Sequence, residues 1–124
     1  MIGYITLGTN DFDGAVAFYD KLLEQVGAKR VMETDSFVAW GPDFNVTSLS
    51  IIKPYDKQPA TVGNGVMVAL NVDSPAKVDA VYKKALELGG SDEGKPGDRG
   101  GGFYAAYFRD LDGNKLNVFH FPQG

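Results

Sequence analysis

Near its C-terminus the chain reads Phe108-Arg109-Asp110-Leu111-Asp112-Gly113-Asn114-Lys115-Leu116-Asn117, and this stretch carries the strongest local signal for secondary structure in the chain. The Asp112-Gly113 pair supplies the positive φ angles that a tight turn requires, because glycine adopts them without steric cost. Residues that favour β-structure lie on both sides of the turn. The sequence therefore predicts a hairpin between strands at Phe103–Arg109 and Lys115–Phe121.

The first half of the chain predicts one strand, one helix and three further strands. Residues 1–8 alternate, with Tyr4 and Thr6 on one face and Leu7 on the core face. Apolar residues then recur at three- and four-residue spacing, which predicts a helix capped at Asn10 or Asp11 and running through Val26. The period next changes towards two, and this predicts strands at Lys29–Glu33, Phe37–Trp40 and Val46–Ile52.

The second half of the chain repeats this order. Residues 65–72 predict a strand, and Ser74-Pro75 predicts the start of a helix that ends at Gly89-Gly90. Sliding the chain on itself by 63 positions places Leu7 on Leu70, Tyr19 on Tyr82 and Gly27 on Gly90. Residues 91–102 are rich in glycine and charge, and we expect them to form a mobile loop. The sequence thus predicts two βαβββ units, about 1–54 and 64–121, joined by a connector at 55–63.

Composition bounds the class of protein. With 124 residues, 44% hydrophobic and 23% charged, the chain fits one compact globular domain. No apolar run is long enough for a membrane span and the start does not read as a signal peptide, so we expect a cytoplasmic protein with no membrane partner. The net charge is −4 and the basic residues are scattered, so no nucleic-acid partner is expected. The absence of cysteine excludes disulfides and thiolate chemistry.

Several short motifs together resemble those of one superfamily. They are Asn10-Asp11 and Phe18-Tyr19 after the first strand, Val72-Asp73 in the second unit, and the turn at Asp110–Asn114. In this order and spacing they resemble the glyoxalase, bleomycin-resistance and extradiol-dioxygenase superfamily, the vicinal-oxygen-chelate fold, over nearly the whole chain. The resemblance implies a single glyoxalase-like domain over residues 1–124. Its fold would be α+β, with the two βαβββ units forming a curved mixed sheet (an open barrel) and the helices on the outer face.

The superfamily's metal sites use four positions, two in each unit. The resemblance places Tyr4, Ser50 or Ser48, Met67 and Asn117 at these positions, and none of them is histidine, aspartate or glutamate. A phenol, a hydroxyl, a thioether and a neutral amide together make a poor site for a divalent ion. We therefore expect no metal and no other cofactor. The single histidine, His120, is interpreted as a packing or surface residue rather than a general base.

Loss of the metal leaves either a pocket or a cavity filled by side chains, and both possibilities remain open. No catalytic residue can be named. Phe37, Trp40 and Tyr104 are interpreted as core or pocket wall. Arg99 is a possible lid residue that could clamp an anionic group. The candidates for a ligand pocket are Tyr4, Thr6, Ser48, Ser50, Met67, Tyr107, Arg109, Asn117 and Phe119.

Three functions remain open at this point. The resemblance implies a protein that binds a small organic molecule in the concave sheet without the usual metal, with or without catalysis. One alternative is a non-catalytic, drug-sequestering protein like the bleomycin-resistance members. Another is a metal-dependent lyase of the glyoxalase I type or a dioxygenase, which requires ligands that the chain lacks. Because exposed sheet edges offer a symmetric contact and short members commonly pair, we expect a homodimer.

Overall fold

The computed structural model describes residues 1–122 and confirms the α+β fold with two βαβββ units. The chain divides into two compact units, one spanning residues 1–63 and the other beginning at Asn64. Within the described residues no helix has the length and apolar character needed to cross a membrane. The elements in chain order are β1 (Tyr4–Gly8), α1 (Phe12–Glu24), β2 (Lys29–Glu33), β3 (Phe37–Gly41), β4 (Ser48–Ile52), β5 (Val68–Asn71), α2 (Pro75–Glu87), β6 (Ser91–Asp98), β7 (Tyr104–Arg109) and β8 (Lys115–His120).

The first unit forms a four-stranded sheet in the order β1-β4-β3-β2, with α1 on one face. β1 and β4 are parallel, whereas β3 is antiparallel to both of its neighbours. The apolar stripe of α1 is buried, and the ring of Tyr19 lies 5.7 Å from that of Trp40. Alternation along the strands directs Leu7, Leu49 and Trp40 towards the helix. The opposite face of the sheet therefore carries Tyr4, Thr6 and Ser48.

The second unit repeats this arrangement with a sheet in the order β5-β8-β7-β6. Ser74 caps α2 by accepting a hydrogen bond from Lys77 N at 3.1 Å, and Pro75 occupies the first turn as predicted. Two tyrosines tie the helix to the sheet. Tyr82 Oη donates to Asp92 at 2.9 Å, and Tyr104 Oη donates to Asp79 at 2.7 Å.

The prediction of a mobile loop at residues 91–102 is wrong for residues 91–98, which form β6. β6 pairs antiparallel with β7, and its register shifts between Asp92 and Gly94 and again between Gly94 and Gly97. Glycine and charge lower the intrinsic preference for a strand, but an edge strand with irregular pairing tolerates both. β4 and β5 also begin later than predicted, at Ser48 and Val68, so Met67 precedes β5.

The hairpin predicted between β7 and β8 is confirmed, and the carboxylate of Asp110 organises its turn. Oδ1 of Asp110 accepts hydrogen bonds from Asp112 N and Asn114 N, both at 2.9 Å. Oδ2 accepts from Asn114 Nδ2 at 3.0 Å, and Gly113 takes a positive φ of 91°. Because Asp110 and Asn114 are only 5% and 7% exposed, these bonds are largely shielded from water.

Candidate functional site

A cavity of about 550 Å³ lies on the face of the first sheet that α1 does not cover. Tyr4 and Thr6 of β1 reach it together with Ser48 of β4, because these positions share one parity across the parallel pair. The structure thus brings three of the predicted binding residues together. The remaining lining residues are Gly3, Val31, Met32, Thr34, Phe37, Ala39, Phe44 and Ile52.

The wall of this cavity is mainly apolar and partly exposed. The side chains of Tyr4, Phe44 and Met32 are 63%, 69% and 45% exposed. Tyr4 meets Phe37 edge to face, with ring centroids 6.1 Å apart. No lining residue is Asp, Glu, Lys or Arg, so the polar groups are hydroxyls and backbone. Such a wall suits an uncharged molecule that covers the aromatic surface and finds a few hydrogen-bonding partners.

Ser50 was predicted to line the pocket, but it lies beneath the cavity wall. Its side chain is fully buried, and its hydroxyl donates to Ile5 O at 2.8 Å. Its oxygen also lies 3.0 Å from Oγ1 of Thr6, the residue paired with it on β1. Ser50 is flanked by Thr6 on β1 and Ala39 on β3, its partners on the two neighbouring strands. It can therefore influence a ligand only through Thr6.

The predicted candidates of the second unit do not line this cavity. Asn117 is 1% exposed, and its Nδ2 donates to Ala106 O at 3.0 Å, so the amide is bonded within the sheet. Arg109 Nε donates to Glu93 at 2.5 Å, and this contact holds the pKa of Glu93 below its usual range. Phe119 packs against Phe103, and Met67 is 42% exposed before the start of β5.

Tyr107 and Arg99, the last two candidates, lie together on the second unit. The guanidinium of Arg99 lies 5.6 Å from the ring centroid of Tyr107, and Lys115 Nζ approaches the same ring at 5.4 Å. Arg99 also donates to Lys95 O at 2.6 Å. A Cβ atom added at Gly97 would come 3.0 Å from the Arg99 guanidinium, so the glycine gives this side chain room. Arg99 thus lies along β6 here, and its role as a lid stays a prediction.

The residues that the resemblance assigns to the superfamily's metal positions do not fit a divalent ion. In the first unit the hydroxyl of Ser50 already donates to a backbone carbonyl, and the other position carries the phenol of Tyr4. In the second unit the positions carry the thioether of Met67 and the neutral amide of Asn117. None of these side chains is a carboxylate or imidazole. Among residues 1–122 no group of three histidine or acidic side chains is placed to hold a metal ion.

Met32 and Phe44 are among the lining residues that the sequence did not predict. Phe44 lies in a turn that has no periodicity to assign it a face, and Met32 lies next to a register shift between β2 and β3. Such a shift breaks the alternation from which the facing of a strand residue is predicted. Phe37, which the sequence assigned either to the core or to a pocket wall, lines the cavity.

The chain is similar to known proteins in both sequence and structure. The family model for the Glyoxalase/Bleomycin resistance protein/Dioxygenase superfamily matches residues 1–118. A glyoxalase/bleomycin resistance protein from Albidiferax ferrireducens is 34% identical, with a TM-score of 0.90 over 98% of this chain and 99% of that one. No protein with a curated function matches.

Two more distant structures share the fold. A lactoylglutathione lyase from Agrobacterium tumefaciens is 23% identical, with a TM-score of 0.68 over 97% of this chain and 92% of that one. An antibiotic binding protein from a Streptomyces species is 22% identical, with a TM-score of 0.70 over 98% and 96% of the two chains. Similarity at this level of identity describes the fold alone.

Proposed function

Because the chain belongs to the glyoxalase/bleomycin resistance protein/dioxygenase superfamily, we propose that it binds a small, uncharged organic molecule in the cavity of its first unit, without a metal ion. The observation that carries this proposal is the cavity wall. The cavity has a volume of about 550 Å³. Its wall has an aromatic surface formed by Tyr4, Phe37 and Phe44, and no charged side chain lines it. Ligand sites typically have about 300–1,000 Å³ and a mostly apolar lining with few polar groups.

The chemistry of the lining supports binding more than catalysis. The hydroxyls of Thr6 and Ser48 have no histidine or carboxylate beside them in the lining, so nothing there activates them as nucleophiles. The residues at the metal positions also lack the ligands that a superfamily lyase or dioxygenase needs. We therefore favour a protein that holds its ligand unchanged, as a sequestering protein does, over a metal-dependent enzyme.

Fluorescence titration with 2-naphthol tests the proposal, since this probe is neutral, flat and aromatic. We expect saturable binding to the full chain. 2-Naphthoate should bind at least about tenfold more weakly, because its carboxylate would lose water without gaining a charged partner. Tyr4→Ala should weaken 2-naphthol binding by about tenfold, since it removes aromatic surface from the wall.

Tyr55→Ala is the matched control for this experiment. Tyr55 is 97% exposed in the same unit and does not line the cavity, so its truncation should leave binding unchanged. Circular dichroism of both variants checks that they fold. The proposal is wrong if 2-naphthol does not bind, or if the two tyrosine variants bind it equally well.

We also infer that the protein is a homodimer. β1 and β5 lie at the edges of their sheets, and Ile2 and Val66, which precede them, are 50% and 58% exposed. An unpaired strand edge flanked by apolar side chains is a natural surface for a second copy. Light scattering should give twice the mass of one chain, and a monomeric mass at micromolar concentration would contradict this inference.

A further inference from the structure

The two hydroxyls beneath and within the cavity wall have a fixed direction of hydrogen bonding. A serine hydroxyl has one hydrogen, and a backbone carbonyl can only accept one. Ser50 Oγ lies 2.8 Å from Ile5 O, so the hydrogen of Ser50 is used in that bond. Because Ser50 is fully buried, no bulk water competes for it.

The direction of the next bond follows from the first. Oγ1 of Thr6 lies 3.0 Å from Oγ of Ser50, and a hydrogen bond between them needs a donor. Since the hydrogen of Ser50 is committed to Ile5 O, Thr6 must donate. This uses the only hydrogen of the Thr6 hydroxyl and leaves its oxygen with acceptor capacity alone. Thr6 is exposed and lines the cavity, so this acceptor belongs to the ligand site.

We propose that Thr6 is a fixed hydrogen-bond acceptor that makes the cavity select ligands carrying an O–H or N–H donor at that end. The proposal rests on the proposed function, because it specifies the ligand class of the same cavity. If a ligand places an ether or carbonyl oxygen against Thr6, two hydrogen-bond acceptors meet and their lone pairs repel each other. Such a ligand would also leave the Thr6 oxygen without a partner after water had been displaced.

The other hydroxyls of the wall do not impose the same selection. Thr34 Oγ1 accepts from Ser36 N at 3.3 Å, so its own hydrogen remains to be donated. Ser48 is half-buried and Tyr4 is exposed, and each of their hydroxyls can rotate to donate or accept. Discrimination between donors and acceptors therefore depends on Thr6 and on the buried serine that orients it.

A pair of neutral probes, 2-naphthol and 2-methoxynaphthalene, tests the proposal by fluorescence titration. They differ in that the first can donate a hydrogen bond and the second can only accept one. We expect the full chain to bind 2-naphthol about tenfold more tightly, although the added methyl group favours the ether through its larger apolar area.

Three variants locate the cause of this preference. Ser50→Ala removes the acceptor of the Thr6 hydrogen, so Thr6 can donate to a ligand and the preference for 2-naphthol should fall to about threefold or less. Thr6→Val removes the acceptor itself at nearly constant volume and should abolish the preference. Thr47→Val is the matched control, because it makes the same substitution at an exposed threonine of the same unit that does not line the cavity, and it should keep the preference.

The outcomes separate this inference from the proposed function. If wild-type protein binds both probes equally, or if Thr6→Val keeps the tenfold preference, the role of Thr6 is wrong while ligand binding stands. If neither probe binds, both proposals are wrong. Should Ser50→Ala fail to fold, Thr6→Val decides the matter, because Thr6 is an exposed residue whose replacement leaves the core intact.

Discussion

Replacing Asp110 by alanine should destabilise the second unit more than any other change of a single turn carboxylate. The carboxylate accepts three hydrogen bonds of 2.9–3.0 Å at a site that is 5% exposed. A hydrogen bond to a charged group contributes about 1.5–3 kcal/mol, and such values do not add fully within one network. We therefore expect Asp110→Ala to lower the free energy of unfolding by about 3–4 kcal/mol, a large share of the roughly 5–15 kcal/mol typical of a domain.

Asp43→Ala provides the matched control. Asp43 organises an exposed turn in the first unit by accepting one hydrogen bond, from Asn45 N at 2.7 Å. The same substitution there should cost about 0.5–1 kcal/mol, because water can replace the lost partner. Urea denaturation followed by far-ultraviolet circular dichroism measures both. Equal losses for the two variants would refute the claim that the Asp110 network holds the hairpin.

Exchanging the side chains of Asp110 and Asn114 tests whether the hydrogen bond between them contributes to stability. Asp110→Asn replaces the carboxylate opposite Nδ2 of Asn114 by an amide, so the charged acceptor is lost and the Asn114 side chain must turn its own oxygen towards the new NH2 group. Adding Asn114→Asp restores the donor and acceptor with their roles exchanged. The double variant should therefore be about 1 kcal/mol more stable than the sum of the single effects predicts. A coupling near zero would show that this side-chain bond contributes nothing.

Two further predictions concern the helices. Gly90→Ala should lower the free energy of unfolding, measured by urea denaturation, by about 2 kcal/mol or more, because the new Cβ would lie 2.7 and 2.9 Å from two backbone carbonyl oxygens. Gly3→Ala is the control. No atom lies within 4 Å of the added Cβ there, so the free energy of unfolding should change by less than about 0.5 kcal/mol. The Arg30 guanidinium holds the pKa of Asp20 below its usual range, with help from the Trp40 indole and against the effect of burial. Since an unfolded aspartate has a pKa of about 3.9, this stabilisation is present above about pH 4 and is lost as pH falls through the lower folded pKa. The stability difference between wild type and Asp20→Asn, followed by Trp40 fluorescence, should shrink below that pH. Arg30→Ala should reduce this pH dependence, because Arg30 is the largest cause of the lowered pKa.

Much of the fold followed from local signals in the sequence. The Asp-Gly turn, the Ser74-Pro75 cap and the three- and four-residue spacing of the helices each depend on residues close together in the chain, so they could be predicted from it. β6 could not, because its glycines and charges argue against a strand and only its pairing with β7 makes it one. A pairing partner elsewhere in the chain overrides weak local preference.

The sequence predicted on which face of the sheet the candidate side chains lie, but it did not predict how deeply each of them is buried. Alternation correctly placed Tyr4, Thr6 and Ser48 on the sheet face away from α1, since the direction of a side chain has a period of two along a strand. The same parity suggested that Ser50 lines the cavity, yet it is fully buried. Parity assigns a face, but it carries no information about how deeply a side chain on that face is covered by its neighbours.

The sequence alone was enough to predict the first βαβββ unit and the first strand, helix and final hairpin of the second unit. It also showed that neither carboxylate nor imidazole occupies the positions that the resemblance assigns to a metal. Only the tertiary structure decided which candidates share a cavity and which hydroxyl faces a ligand. The physical reason is that strand order is set by pairing between distant segments. β4 pairs with β1 across more than forty residues, and this pairing buries Ser50 under Thr6 and fixes the direction of their hydrogen bond.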